Sequence, residues 1–100
     1  MHDNVNHPSY YKKGNRKECI IEMQELYGIR VVIDFCIGNC FKYLYRRGDK
    51  ICNSYGQDTK KALWYLRYAK KLVSNNMPNN LWYVKEFENL ENLMKEDVND

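Results

Sequence analysis

One hundred residues make one domain with a modest core, since a chain of this length buries only about 60–65% of the surface it would expose when unfolded. Hydrophobic residues at 44% and charged residues at 29% exclude a disordered tail, and the longest apolar run, Ile29 to Phe41, is broken by Arg30, Asp34 and Asn39, which excludes a membrane span of roughly 20 apolar residues. The net charge of +3 conceals an asymmetry: residues 1–70 hold 13 Lys or Arg against 7 Asp or Glu, whereas residues 71–100 hold 3 against 6, so the basic excess favours an anionic partner for the first two thirds.

The chain opens on Met1-His2-Asp3-Asn4, without the basic start and apolar stretch of a signal peptide, and a cytoplasmic location is expected. Residues 1–14 read as an arm closed by Gly14, because Pro8 lacks an N–H and pushes His7 toward an extended conformation. From about Arg16 to Tyr27, the residues Cys19, Ile20, Met23, Leu26 and Tyr27 repeat at helical spacing, and Gly28 stands where a C-cap belongs. A second helix is expected from about Val31 to Arg47, with Val32, Phe35, Cys36, Cys40, Tyr43 and Leu44 as its apolar stripe and Gly48 as its stop. Gly48 to Gln57 reads as a polar loop. Asp58 then suits the N-cap of a third helix that turns Ala62, Leu63, Leu66, Ala69, Leu72 and Val73 inward. After the turn Asn75 to Asn80, a last helix from about Leu81 to Lys95 carries Tyr83, Phe87, Leu90 and Met94 on one face.

The fold class expected is all-α: a small compact bundle of about four helices in one domain over 1–100. Within it lie an arm (1–14), motif-bearing helices (15–75) and a C-terminal amphipathic helix (79–97). Fourteen per cent aromatic residues, nine of them Tyr, exceed what so small a core hides, so some belong at a subunit contact or a ligand site, and a homo-oligomer is expected. With no export signal, Cys19, Cys36, Cys40 and Cys52 read as reduced thiols packed as small hydrophobes rather than as bridges or metal ligands.

Chemistry concentrates on the second helix. Asn39, Lys42 and Arg46 recur at i, i+3 and i+7, hence on one face that flanks the apolar stripe. Arg47 and Lys50 extend the positive field into the loop, and Lys60 and Lys61 open the third helix. Arg supplies a planar fork for phosphate oxygens and Lys a mobile point charge, so this face suits a phosphate-bearing ligand. Its alternative is a solvated basic face. On the arm, His7 titrates near neutrality and Tyr10 and Tyr11 offer rings for stacking on a base, the alternative being that Pro8 and Tyr10 pin the arm to the helices. Trp64-Tyr65 and Trp82-Tyr83 read first as core and interface anchors. No Gly-rich phosphate loop, dinucleotide fingerprint or zinc-hydrolase signature is spelled, and neither histidine falls into a Ser/His/Asp set.

The order of the pieces Val5-Asn6-His7-Pro8-Ser9-Tyr10-Tyr11, Glu18-Cys19-Ile20, Gly38-Asn39-Cys40-Phe41-Lys42-Tyr43-Leu44-Tyr45-Arg46 and Asp58-x-x-Lys61-Ala62-x-Trp64-Tyr65-Leu66 resembles a small phage-encoded family of long-unknown function. Its pattern is roughly VNHPxHY, ExI, GNxxKYxxRxxxK and DLxKAxWYL, matched here over about residues 5–68. Tyr10-Tyr11 stands where that pattern has His-Tyr, and Asp58-Thr59 in place of its DL pair. The family includes a longer phage protein described as a nucleotide kinase that works without a Walker loop and forms large oligomers. What the resemblance implies is nucleotide handling, with His7, Tyr10, Asn39, Lys42, Arg46, Lys50 and Lys61 on matched positions.

Three functions follow as expectations. The first is an oligomeric binding protein that holds a nucleotide, or a nucleotide-derived signal, and sequesters it against host defence during phage infection. The second is a kinase of (deoxy)nucleoside monophosphates, with Mg2+ held by Glu18 or Asp34 and positive charge from Lys42, Arg46 and Lys50. A nucleic-acid binder ranks third, since +3 is a weak charge for tracking a phosphate backbone.

Overall fold

The computed structural model describes residues 18–47, 49 and 54–96. Among these, four helices and no strand are found: α1 (Cys19–Tyr27), α2 (Ile29–Arg46), α3 (Tyr55–Asn76) and α4 (Leu81–Glu96). The all-α expectation holds. No described helix is long and apolar enough to cross a membrane. The expected arm lies outside the described residues.

One residue separates α1 from α2. Gly28 closes α1 by donating its N–H to the Gln24 carbonyl at 2.9 Å, and it does so at φ +94° and ψ 167°, a conformation that L side chains rarely adopt. A methyl group there would meet nothing within 4 Å, so Gly28→Ala is a test of backbone strain alone. The expected result is a loss of about 1–3 kcal/mol in unfolding free energy, seen as a lower urea midpoint at unchanged slope.

Helix α2 is the spine. Val32, Ile33, Cys36 and Cys40 have no exposed surface and pack with Ala62, Tyr65, Leu66 and Ala69 of α3 and with Ile20 of α1. Arg46 meets Asp58 and Phe35 meets Tyr65, so α3 runs antiparallel to α2. Helix α4 returns parallel to α2: the Tyr83 hydroxyl donates to Asp34 Oδ1 at 2.9 Å near one end, and Arg47 reaches Met94 near the other. The Tyr83 hydroxyl is pushed above its ordinary range by burial and by that bond to Asp34. Tyr83, Phe87 and Leu90 form the buried face of α4, as their spacing predicts.

Two helix starts use side chains that the sequence reading passed over. The expected cap of α3, Asp58, is not its cap: Ser54 is, with Oγ accepting from the Gln57 N–H at 2.9 Å, so the helix begins four residues earlier than expected. Asn80 caps α4 in the same way, accepting from the Tyr83 N–H at 3.1 Å.

Arg47 leaves the basic face altogether. Its side chain is buried, donating to the Met94 carbonyl at 2.9 Å, to the Leu93 carbonyl at 3.4 Å and to Thr59 Oγ1 at 3.1 Å, with its guanidinium 4.5 Å from the ring centre of Tyr55. A cation at the carboxyl end of α4 meets the negative end of that helix dipole and supplies donors to carbonyls that lack intrahelical partners.

Cys36 and Cys40 are reduced and buried, whereas Cys19 is exposed. Burial pushes both buried thiols up to about 12, from an ordinary value near 9. Cys19 is therefore expected to react with a thiol reagent in the native state, and Cys36 and Cys40 only on unfolding. The linkage runs one way: the unfolded thiols ionise near pH 9 and the folded ones near 12, so the unfolded state binds fewer protons in between. Stability is then full below pH 9 and falls as pH rises from 9 toward 12, which alkaline denaturation monitored by helical circular dichroism will show.

Candidate functional site

The site is a group of cations gathered on one aromatic ring. Tyr43 lies on the inner side of α2, 8% exposed, with its ring stacked on that of Tyr65 from α3 at 6.0 Å and 11°. Around it stand the Lys42 ammonium at 4.7 Å from the ring centre, the Arg46 guanidinium carbon at 4.8 Å and the Lys61 ammonium at 5.4 Å. Lys42 and Arg46 come from α2 on either side of Tyr43; Lys61 comes across from the second turn of α3. A cation over an aromatic face gains about 0.5–1 kcal/mol at an exposed site, which helps to hold each charge in place.

The counter-charge is thin. Asp58, one turn before Lys61, is completely buried and receives a single contact from Arg46 Nη2 at 3.4 Å. Asp58 Oδ2 and Arg46 Nε are both buried without a hydrogen-bond partner. Neither Lys42 nor Lys61 meets a carboxylate among the described residues. Three cations with one carboxylate all lie within about one Debye length, ~8–10 Å, of each other, so the lysines repel one another and Arg46 with little screening. At effective dielectric constants between a protein surface and water, each such like-charge pair costs on the order of 1 kcal/mol. An anion seated among the three would turn that repulsion into attraction.

Of the sequence-predicted site residues, the structure brings Lys42, Arg46 and Lys61 together. Asn39 shares their side of α2, one turn before Tyr43, half-buried, and its amide makes no hydrogen bond among the described residues. His7, Tyr10 and Lys50 lie outside the described residues. Tyr43, which the apolar stripe assigns to the core, and Asp58, which its position before Ala62 assigns to a helix cap, join the site only in the structure. Their signal is local: Tyr43 precedes Arg46 by three, Asp58 precedes Lys61 by three and Lys61 precedes Tyr65 by four, so each helix sets ring and charge on one side.

The carboxylates named for a metal are placed elsewhere. Asp34 accepts from the Tyr83 hydroxyl on the side facing α4, and Glu18 borders a small apolar pocket with Met23, Phe35 and Trp64. No group of three His, Cys, Asp or Glu side chains able to hold a metal ion occurs among the described residues.

Comparison with known proteins gives one family. The model of the family described as protein of unknown function (DUF3310) matches residues 5–67, well over half of the chain, and the chain belongs to that family. No curated protein and no solved structure matches it.

Proposed function

We propose that this DUF3310 protein binds a phosphate-bearing nucleotide, or a signal molecule derived from one, with Lys42, Arg46 and Lys61 on the phosphates and the Asn39 amide hydrogen-bonding beside them. The observation that supports the reading is the convergence of three cations on the ring of Tyr43 against one buried carboxylate. Charge-assisted hydrogen bonds to phosphate are among the strongest available to a small site. The resemblance to phage-encoded nucleotide-handling proteins supports the same ligand class, and with it a phage-type protein that sequesters the nucleotide against host defence in the host cytoplasm. Oligomers would place such sites at or near subunit contacts.

Titration calorimetry with a panel of nucleoside mono-, di- and triphosphates and cyclic nucleotides tests this. Expected is saturable binding of at least one of them, with the ligand recovered chemically intact by mass spectrometry. Heat without saturation for the whole panel overturns the reading. The kinase alternative keeps its support from the resemblance alone, and conversion of a deoxynucleoside monophosphate in the presence of ATP and Mg2+ would establish it instead. Retention of duplex or single-stranded DNA at moderate salt, with no affinity for mononucleotides, would favour the nucleic-acid reading.

A further inference from the structure

We infer that the carboxylate of Asp58 and the Nε of Arg46 together receive a hydroxyl of the ligand's sugar, so that the site selects a ribonucleotide over its deoxy counterpart. This rests on the nucleotide reading and adds the sugar to it. Asp58 is completely buried, and its Oδ1 holds only a long contact to Arg46 Nη2, at 3.4 Å. The other oxygen, Oδ2, and Nε of the same arginine are buried with no hydrogen-bond partner. Buried polar groups in native proteins are rarely left unpaired, least of all charged ones. Two such atoms on one facing pair, at the edge of a cluster of cations, mark a place for a further group.

The chemistry of the two atoms selects that group. Oδ2 is an acceptor and needs a donor; Nε carries one N–H and needs an acceptor. A phosphate oxygen would suit Nε and be repelled by the carboxylate. An ammonium would suit Oδ2 and be repelled by the guanidinium. A hydroxyl serves both with one oxygen atom, donating to Oδ2 and accepting from Nε. A nucleotide carries such hydroxyls on its sugar, a few bonds from its phosphates. Lys42 and Lys61 stand around the same Tyr43 ring as Arg46, so phosphates held there bring the sugar beside the Arg46–Asp58 pair. The Arg46 side chain is 25% exposed and that of Asp58 is 0% exposed, so the pair is entered along the arginine, and Nη1 stays with the phosphates. A small turn of the guanidinium admits the one oxygen.

Calorimetry on the full chain compares the mono- and triphosphates of adenosine, guanosine, cytidine and uridine with their 2′-deoxy and 3′-deoxy forms. Expected is at least about tenfold tighter binding of a ribo form than of one of its deoxy forms, because the analogue leaves both buried atoms unpaired. Asp58→Asn keeps the shape but, with its amide oxygen on Nη2, sets an NH2 donor where Oδ2 stood, and is expected to bring that ratio close to one. Arg46→Lys keeps the charge and lacks Nε; it is expected to narrow the ratio as well, and it decides the matter where circular dichroism shows Asp58→Asn unfolded. Ribo and deoxy forms bound alike overturn the inference while the phosphate reading stands. A preference that the folded variants keep intact overturns it equally, since another group then reads the sugar. Absence of binding by every form brings down the nucleotide reading itself, and the sugar selection with it.

Discussion

Replacing Arg47 with alanine is expected to lower the unfolding free energy by about 2–4 kcal/mol, enough to abolish much of the stability of a domain this small. The guanidinium ties three helices together: it extends from the end of α2, bonds Thr59 in the first turns of α3 and donates to the last carbonyls of α4. Truncation leaves those carbonyls without their donors at a buried site and opens a void beside Tyr55. Arg47→Lys is expected to recover only a fraction, because a single ammonium cannot span two carbonyls and a hydroxyl as a planar fork does. Urea denaturation of the three proteins is the measurement. If Arg47→Ala unfolds at the same midpoint as the parent, the junction is held by packing alone and this account of it is wrong.

The second large effect concerns binding. Lys42→Ala combined with Lys61→Ala is expected to weaken nucleotide affinity about a hundredfold, at ~1.4 kcal/mol for each tenfold. The fold should not suffer. Neither ammonium has a carboxylate partner among the described residues, so removing the pair relieves like-charge repulsion, and the melting temperature is expected to hold or rise slightly. Arg46 is the wrong residue for this test, because its loss would strand Asp58 buried and unpaired. The double variant should also show a shallower dependence of affinity on salt, since fewer charges contact the ligand. Unchanged affinity would show that the cations serve no phosphate, whatever the stability does.

The fold was legible where one helix settles the matter by itself. The stripe Val32, Phe35, Cys36, Cys40, Tyr43, Leu44 is an i, i+3, i+4 pattern that only a helix buries, and Gly28 marks a break that only a residue without a side chain makes at low cost. Legibility ended where two helices decide jointly. Asp58 before an apolar run has the look of a cap, yet Ser54 takes that task and leaves Asp58 inside, facing Arg46 from another helix. Arg46 and Arg47 are neighbours in sequence but about 100° apart around the helix, so one turns to the ring of Tyr43 and the other to the end of α4. No spacing rule along one chain segment separates them. For the site, the face Asn39, Lys42, Arg46 was visible as a period, whereas the arrival of Lys61 depends on the pairing of α2 with α3.

The stack of Tyr43 on Tyr65 has an optical consequence. Tyr65 also meets Trp64 edge-on, with ring centres 5.0 Å apart, so a fluorophore sits two rings away from the three cations. Neutralising charge at Tyr43 alters the local field across that short aromatic relay, and tyrosine excitation passes readily to the indole at such range. In a Trp82→Phe background, where the strongly exposed second indole no longer contributes, emission from Trp64 is expected to change on binding of the proposed ligand, without label or chromophoric ligand.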